Sequence, residues 1–242
     1  MIPALPQPCL ALITDRRVCG GTERLEWAVE AAVAGGVQLV QLREKELPGG
    51  PLLALAERLR RCTLGKALLF VNERVDVALA CGADGVHLGE EGLGVAEARR
   101  AAQGRELLIG RSVHHLAGAM QAAEAGADLL QVGPVYATAS HPDAAPQGVG
   151  LVAEVAESVG VPVLGVGGIT PENGMEVVAA GGAGVAVVRG ILAAPSPYRA
   201  AQQLSEAVSS GYLYQLAAHQ KGQAAHQKGQ GVREEAQEGG KR

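Results

Sequence analysis

Two cations and an amide alternate in the segment Gln41-Leu42-Arg43-Glu44-Lys45. In an extended chain, alternate side chains point to the same side, so we expect Gln41, Arg43 and Lys45 to face one way, into a barrel near its mouth. Arginine and lysine supply charge-assisted donors, and such a trio suits a polyanionic ligand. The alternative is that Arg43 forms a structural ion pair with a glutamate.

Carboxylates occur in two further segments, Asn72-Glu73-Arg74 and the run from His87 to Glu91. If both segments end neighbouring strands, their carboxylates could hold Mg²⁺, which takes one or two carboxylates plus substrate phosphates. Glutamate also begins helices, where it complements the helix dipole, so both interpretations stay open. We predict Glu73 and Glu91 as the metal ligands.

A hydroxyl and an imidazole lie close together at Ser112 and His114. The Ser112 hydroxyl could hydrogen-bond a ligand or cap the helix that follows. His114 could act as an acid or base near neutral pH, although a lone histidine at a helix start is often structural. Both are candidate catalytic residues.

A long loop, rich in hydroxyl groups, follows the segment GPVY at 133–136. Long barrel loops are often lids or binding loops. Thr138 and Ser140 carry hydroxyls two residues apart, which suits phosphate oxygens, and His141 follows them. We predict that these three residues bind substrate.

Two glycine-containing segments predict a phosphate site. GVGGIT carries Gly167 and Gly168, and VVRGI carries Val188 and Arg189. Glycines expose backbone N–H groups, helix N-termini add a positive dipole, and together they bind phosphate monoesters. The alternative is that the glycines only permit tight packing.

A fold that brings these candidate residues together must place several strand ends side by side. Eight short apolar runs in the sequence are predicted to be the strands of such a fold. Helical patterns with apolar residues at three- and four-residue steps separate the runs. Alternation of strand and helix predicts parallel pairing and an α/β fold, a single-domain (β/α)₈ TIM barrel. The predicted strands are 9–15, 37–44, 67–72, 84–89, 106–113, 128–136, 161–168 and 184–191.

A weak internal echo supports the barrel. The stretches AAVAGGVQLVQL, ALACGADGVHL, AAEAGADLLQV and VAAGGAGVAVV share small residues, a glycine and then a strand. Glycine at a helix C-cap adopts the left-handed conformation that turns the chain into the next strand. The echo recurs at every second strand.

The character of the chain changes after about residue 210. AAHQKGQ occurs at 217–223 and again at 224–230, with almost no apolar face to bury. We therefore predict a barrel domain over residues 1–210 and a polar low-complexity tail over 211–242, disordered or a frayed helix. The tail histidines, His219 and His226, are excluded from the site.

Composition narrows the class of protein. Apolar residues make up 48% of the chain and aromatic residues 2%, so the core must be aliphatic. The net charge of −4 argues against nucleic acid as the principal partner. The four cysteines lack metal-ligand spacing and are expected to be free thiols in a reducing cytoplasm. We expect a cytoplasmic protein that uses no membrane and takes small phosphorylated substrates, with a homo-oligomer left open.

Taken together, the motifs resemble those of the thiamine phosphate synthase/TenI family. The resemblance runs through residues 9–192 and rests on QLREK, VNERVDVALACGADGVHLGEE, IGRSVH, GPVYATAS and GVGGITPEN, in the family's order. No single motif is specific, but the set in this order is.

The synthase resemblance implies coupling of hydroxymethylpyrimidine diphosphate to thiazole phosphate with release of pyrophosphate. It implies a dissociative step in which diphosphate leaves with help from Mg²⁺ and the thiazole nitrogen captures a pyrimidine carbocation. The implied diphosphate and pyrimidine contacts are Gln41, Arg43, Lys45, Asn72 and Ser112. The implied contacts of the thiazole phosphate half are Thr138, Ser140, Gly168, Val188 and Arg189.

The chain departs from the synthase pattern at four positions. Glu73 stands where the pattern has Asp, and Gly92 where it has a second Asp. His141 replaces a loop lysine, and Arg189 replaces the usual Ser near the eighth strand.

Two alternatives to the synthase stay open. The first is a TenI-like thiazole tautomerase, which needs no metal and which IGRSVH resembles closely. That branch carries its catalytic histidine after the glycine of the sixth strand, where this chain has Pro134, so His114 would have to serve. Gln41 fits the synthase better. The second is a non-catalytic protein that binds thiazole phosphate.

Overall fold

The structure is a computed structural model that describes residues 4–140 and 142–239, with side chains as far as residue 220. Eight parallel strands close into one barrel in chain order, and the first strand pairs with the eighth. The strands are β1 Cys9–Ile13, β2 Leu39–Leu42, β3 Leu68–Asn72, β4 Gly85–Leu88, β5 Leu108–Val113, β6 Leu129–Val132, β7 Val163–Val166 and β8 Gly184–Val187. The predicted (β/α)₈ barrel is confirmed.

Helices follow every strand and cover the outside of the barrel. They are α1 Arg16–Cys19, α2 Thr22–Ala34, α3 Gly49–Thr63, α4 Val75–Cys81, α5 Val95–Ala101, α6 Leu116–Glu124, α7 Gly148–Ser158, α8 Gly174–Ala179, α9 Arg189–Leu192 and α10 Pro197–Gly239. Their apolar faces pack on the outward side chains of the strands and form the larger of two apolar clusters.

All eight predicted strand ranges contain the observed strands, but most were drawn too long. The range 37–44 shrinks to Leu39–Leu42, and 128–136 shrinks to Leu129–Val132. The end of the range 184–191 is wrong, because Arg189–Leu192 form the helical turn α9. Beyond the carboxyl end of each strand, the residues no longer pair with a neighbouring strand. These carboxyl ends form the mouth of the barrel.

The inside of the barrel is filled by a second, smaller apolar cluster. Phe70, the sole phenylalanine of the sequence, lies there among leucines from β2, β5, β6 and β7. Gly85 pairs with Phe70 across the β3–β4 ladder, and a Cβ at Gly85 would lie 2.6 Å from the ring. The interior is therefore a packed core whose bulk is accommodated by a glycine opposite the ring.

The internal sequence repeat corresponds to a repeated hydrogen-bonding position at the amino ends of the strands. Just before β2, the Gln38 side chain accepts a hydrogen bond from the backbone N–H of Leu10. The same position before β4 and β6 is an aspartate that accepts from the preceding strand, Asp84 from Leu69 and Asp128 from Ile109.

An arginine from an outer helix completes the aspartate units. Arg60 of α3 forms two hydrogen bonds to Asp84, at 2.6 and 3.1 Å, and Arg99 of α5 contacts Asp128 at 2.7 Å. At β8 the corresponding residue is Ala183, which has no polar side chain. The repeat thus ties a helix to two strands at the end of the barrel opposite its mouth.

The last helix runs across the predicted boundary at residue 210. The part of α10 nearest the barrel packs on α2 and α8, and Ala201, Leu204 and Val208 are buried there. α10 is continuous through 211–239, so the helix of the barrel extends into the segment predicted as a tail. The predicted disorder of 211–242 in solution stays a prediction. Along the described chain, no helix combines the length and apolar character needed to cross a membrane.

We predict that Asp84→Ala costs about 2–3 kcal/mol of unfolding free energy, because it leaves the Leu69 N–H unpaired and Arg60 without its partner. Asp76→Ala is a matched control. It also breaks a two-bond pair, with Arg74, but an exposed one. Its cost should stay below about 1 kcal/mol. Urea denaturation followed by circular dichroism measures both, and equal losses would contradict the structural role of Asp84.

Candidate active site

Polar side chains from five consecutive strands share the inner layer nearest the mouth. They are Gln41 of β2, Asn72 of β3, His87 of β4, Ser112 of β5 and Gln131 of β6. Four are buried, and Ser112 is half-buried. Strand alternation sends all five inward, above the apolar cluster that contains Phe70. The mouth therefore has a polar half.

The other half of the mouth is apolar. Ile13 of β1 belongs to the inner cluster, and Val166 and Val188 of the β7 and β8 ends pack against it. A ligand seated in the mouth thus meets hydrogen-bonding groups on one side and aliphatic groups on the other.

A chain of amides crosses the mouth. Gln131 Nε2 donates to Gln41 Oε1 at 2.8 Å, and Gln41 Nε2 donates to Asn72 Oδ1 at 3.0 Å. Gln41 and Asn72 were predicted from the sequence, and Gln131 was missed. A lone amide in the apolar run LLQV was the signal, because a buried amide needs a partner.

His87 is a buried, neutral imidazole. Its Nε2 lies 2.8 Å from the hydroxyl oxygen of Ser112, and no hydrogen-bond partner for Nδ1 lies among the described residues. Burial, helped by the positive charges of Arg111 and Arg43, lowers the pKa of His87 to about 3. Gly110 makes room for the ring, since a Cβ there would lie 2.6 Å from Nδ1. The predicted Ser112 hydroxyl is therefore positioned by a histidine that sequence reasoning did not select.

The segment after β2 does not keep the expected alternation. Gln41 faces the interior as expected, Arg43 is half-buried, and Lys45 is exposed. The alternative of an Arg43–glutamate ion pair is not what the structure has. Glu44 instead accepts hydrogen bonds from the backbone N–H of Arg16, with the Arg16 guanidinium 3.7 Å away.

Burial raises the pKa of the Glu44 carboxyl. The Glu44 side chain is thus held by the backbone at the start of α1. No ion-pair partner of Arg43 or Lys45 lies among residues 4–140 and 142–220. Both cations are left available to a ligand.

Next to Lys45 lies an open cleft of about 410 Å³. The residues around it combine cations, carboxylates and the last amide of the chain across the mouth. They are Leu42, Glu44, Lys45, Leu47, Leu52, Asn72, Glu73, Arg74, Glu91 and Gly92.

Glu73 has a backbone held in the left-handed region, with φ of 63°, which is uncommon for a non-glycine residue. Its N–H donates to the carbonyl of His87 at 2.8 Å, and its Oε1 accepts from the N–H of Gly89 at 2.6 Å. A Cβ built on Gly92 would lie 2.1 Å from Glu73 Oε2. The longer Glu73 side chain thus fills the space that a side chain at position 92 would need.

The two predicted metal ligands, Glu73 and Glu91, line the same cleft. Among the side chains that the structure describes, no three His, Cys, Asp or Glu residues converge into a group able to hold a metal ion. One fixed carboxylate beside cationic groups matches the sparse protein ligation of Mg²⁺, which keeps water and substrate phosphates in its other positions.

Arg111 braces the loop that carries Glu91 and Gly92. Its guanidinium donates to the carbonyls of Glu90 and Leu93 at 2.8 and 2.7 Å. Sequence reasoning missed Arg111, because carbonyl partners in another loop leave no mark in the local sequence.

His114 is tied to two neighbouring loops. Its Nδ1 lies 2.5 Å from the carbonyl oxygen of Gly133, and its Nε2 lies 3.5 Å from the carboxylate of Glu90. His115 caps α6 by accepting from Gly118, and its Nε2 also lies 3.5 Å from Glu90. Glu90 therefore bridges two histidines at the rim, and both nitrogens of the His114 ring face protein groups.

The loop after β6 lies across the glycines after β7. The N–H groups of Val135 and Tyr136 donate to the carbonyls of Val166 and Gly167 at 2.9 and 3.0 Å. Gly168 has a φ of +66°, and a Cβ there would lie 2.5 Å from the carbonyl oxygen of Ala137. Close packing is thus one reason for this glycine.

Two of the predicted loop residues lie at this junction. Thr138 is half-buried, Ser140 is exposed, and the Thr138 hydroxyl accepts from the Ser140 N–H at 3.3 Å. His141 lies outside the described residues.

The side chain of Asn173 stabilises the turn that follows β7. Its side chain donates to the carbonyl of Gly168 at 3.0 Å and accepts from the N–H of Thr170 at 2.8 Å. Val188 and Arg189 begin α9 beside this turn, since a Cβ at Gly190 would lie 3.2 Å from the carbonyl oxygen of Ile169. The predicted phosphate segments are therefore neighbours, and Asn173 is a further residue that the sequence did not single out.

The fold and the mouth together define a (β/α)₈ barrel of the kind that binds ligands at the carboxyl ends of its strands. The family model described as thiamine monophosphate synthase matches residues 10–191. The chain belongs to this family, as the motifs predicted.

Relatives and solved structures agree with this membership. A thiamine-phosphate synthase of Methanoculleus marisnigri is 42% identical over 204 residues, which cover 83% of this chain and 95% of that protein. A thiamine-phosphate synthase of Gloeobacter violaceus is 50% identical over 184 residues, 76% of this chain, which spans about half (54%) of that longer protein. The solved thiamine phosphate pyrophosphorylase of Pyrococcus furiosus is 36% identical, with a TM-score of 0.77 over 84% of this chain and 96% of that one.

We predict that the unfolding free energy falls at acid pH partly through His87. The unfolded imidazole takes up a proton below about pH 6.5, whereas the native one does so only near 3, so this stability is lost as pH falls between the two values. His87→Gln keeps a group that can hydrogen-bond Ser112 but cannot titrate. At about pH 4 the wild-type protein should have lost roughly 2–3 kcal/mol more than the variant, relative to neutral pH. Urea denaturation over a pH series measures this, and parallel curves would refute it.

Proposed function

We infer that the protein is a thiamine-phosphate synthase, a transferase that joins hydroxymethylpyrimidine diphosphate to thiazole phosphate and releases diphosphate in thiamine biosynthesis. The observation that carries this conclusion is the convergence of the family's motifs on one barrel mouth. The polar layer of β2–β6 and the glycine turn of β7 face each other there. The family match over residues 10–191 supports the same reaction.

The diphosphate is assigned to the cleft beside β2 and β3. Arg43 and Lys45 have no ion-pair partner among the described residues, so their charge is available to a polyanion. Asn72 lines the same cleft and offers an amide. Gln41 and Ser112 are assigned to the pyrimidine because they lie in the inner layer.

The thiazole phosphate is assigned to the junction of the β6, β7 and β8 loops. Gly167 and Gly168 provide a turn without side chains, and Arg189 provides a cation at the start of α9. Val188 borders this site. The hydroxyls of Thr138 and Ser140, in the loop after β6, are proposed to contact the thiazole phosphate and the diphosphate, and His141 is retained as a substrate-binding proposal.

Mg²⁺ is proposed at Glu73, with Glu91 beside it. The Gly89 N–H orients the Glu73 carboxylate, and the empty side-chain position at Gly92 gives that carboxylate room. These residues fit a cation that takes few protein ligands and shares the rest with phosphates. When bound, Mg²⁺ would neutralise charge on the leaving diphosphate.

The reaction needs positioning and charge neutralisation more than a base. The bond from the pyrimidine methylene carbon to diphosphate breaks, and the electron pair leaves with the diphosphate. The thiazole nitrogen then gives its lone pair to that carbon. Arg43 and Lys45 stabilise the departing charge. His87 stays neutral, because its pKa is about 3, and thereby adds no positive charge next to the forming carbocation.

The two alternatives are not favoured. A tautomerase would need a free catalytic imidazole, but the His114 ring is tied to Gly133 and Glu90, and Pro134 occupies the position of that branch's histidine. A binding-only protein would not need the cleft beside β2 and β3, which combines Lys45 and Arg74 with the candidate metal ligands Glu73 and Glu91. Cytoplasmic location and homo-oligomerisation stay predictions.

The reaction is tested by incubating the purified full chain with both substrates and Mg²⁺ and measuring thiamine phosphate. We expect product that depends on Mg²⁺, and Arg43→Met should lower kcat/KM at least about 100-fold through loss of a charge-assisted contact. Arg100→Met, the same substitution on the exposed face of α5 where Arg100 pairs with Glu97, is the control and should retain most activity. No product at saturating substrate and Mg²⁺ would overturn the assignment. Tautomer exchange without metal would support the tautomerase instead.

We predict that Gly92→Ala weakens divalent-cation binding about tenfold, because the new methyl group displaces the Glu73 carboxylate. Gly94→Ala is a matched control: its Cβ would lie 2.1 Å from Glu97 Oε2, the same clash on the same loop but away from the cleft. Electron paramagnetic resonance of Mn²⁺ with inorganic diphosphate measures affinity independently of turnover. Equal affinities of the two variants would contradict the proposed metal site.

A further inference from the structure

Gln131 is a buried polar residue to which the motifs assign no role. Its side chain is 3% exposed and lies in β6, directly across the closed barrel from β2, where Gln41 stands. The 2.8 Å hydrogen bond between them spans the mouth. Burying two amides is costly unless they pair, so this contact needs both residues.

The amide chain has a direction. An amide donates through nitrogen and accepts through oxygen, so each link fixes the orientation of the next group. Gln131 donates to the Gln41 oxygen, which leaves the Gln41 nitrogen to donate to the Asn72 oxygen. The Asn72 nitrogen is then the end of the chain.

The end of the chain faces the anion-binding side of the mouth. Asn72 lines the cleft to which the diphosphate is assigned, where Lys45 and Arg74 carry positive charge and Glu44, Glu73 and Glu91 carry carboxyl groups. An Asn72 amide with its nitrogen outward adds donors to that charge, whereas the flipped amide would present an oxygen to an anion. The orientation of this one group therefore decides whether it attracts or repels diphosphate.

We propose that Gln131 is a positioning residue that sets the direction of the amide chain, so that Asn72 donates to the diphosphate of the pyrimidine substrate. Gln131 acts through Gln41 and need not touch the substrate itself. The proposal rests on the proposed function for the identity of the substrate. The chain's direction can also be tested with inorganic diphosphate alone.

Gln131→Glu tests the direction with minimal change of shape. An ionised carboxylate only accepts, so Gln41 must turn its nitrogen toward position 131 and its oxygen toward Asn72. Asn72 must then point its oxygen into the cleft. We expect the KM for hydroxymethylpyrimidine diphosphate and the calorimetric Kd for inorganic diphosphate to rise about 10- to 100-fold. The KM for thiazole phosphate should stay within about twofold of the wild-type value.

Protonation of the variant supplies a signature that a packing defect lacks. A protonated carboxyl at position 131 has an O–H that can donate to Gln41, which restores the native direction. The ratio of variant to wild-type Kd for inorganic diphosphate should therefore fall toward one between about pH 8 and pH 6. Taking the ratio cancels titrations common to both proteins.

Two further variants separate direction from folding. Gln131→Met keeps the volume but removes the donor, so the Gln41 amide is no longer directed and the KM for the pyrimidine substrate should rise without any pH recovery. Gln38→Glu is the control at the other end of β2, because it keeps the oxygen that accepts from Leu10. It should bind diphosphate like the wild-type protein.

The results of these experiments distinguish a failure of the proposed role of Gln131 from a failure of the proposed synthase reaction. If the wild-type protein forms thiamine phosphate but folded Gln131→Glu keeps its Kd for diphosphate, the directional role is wrong and the synthase assignment stands. If the wild-type protein forms no product yet Gln131→Glu weakens diphosphate binding with recovery at lower pH, the direction stands and the reaction is wrong. A shift in Kd that is identical at both pH values would also overturn the directional role.

Discussion

Buried polar groups at the top of an otherwise aliphatic barrel must find partners within the barrel, and this constraint organises the mouth. The Gln131–Gln41–Asn72 chain and the His87–Ser112 contact link five side chains from five strands, and His87 Nδ1 is left without a partner among the described residues. Because each strand end is held by a hydrogen bond to another strand, the groups that meet a ligand are fixed before it arrives. Such preorganisation suits a reaction that depends on positioning and charge rather than on a strong base.

On the carboxylate side of the mouth, two residues also depend on each other, because one fills the space that the other leaves. Glu73 reaches farther than an aspartate would, and Gly92 leaves the volume into which it reaches. Considered one at a time, the two departures from the synthase pattern each look like the loss of a ligand. Considered together, they are complementary, since either change alone would leave a gap or a clash. The fixed φ of Glu73 and its bond from Gly89 hold the arrangement in place.

The sequence was sufficient for the fold because each strand and helix carries its own periodic pattern. All eight strands and their parallel closure were predicted, whereas α9 was missed because GVAVVRGI is apolar apart from Arg189 and continues the pattern of a strand. The candidate site residues on strand ends were proposed from local motifs. Gln131, Asn173 and Arg111 were not, because each acts on a partner far along the chain or on a backbone carbonyl. The orientation of Glu44 toward Arg16 was missed because side chains alternate between the two faces only as far as the strand extends.

The repeated acceptors before β2, β4 and β6 lie at the opposite end of the barrel from every group discussed above. One end of the barrel, its base, is thus held by ion pairs that join helices to strands. The other end, its rim, carries the loops that meet the ligand. Changes at the rim such as Glu73 and Gly92 leave the base untouched. Divergence of the catalytic end can therefore proceed by single substitutions on a scaffold whose integrity is secured elsewhere. The acceptors that recur before β2, β4 and β6 thus help the barrel to tolerate substitutions at its mouth.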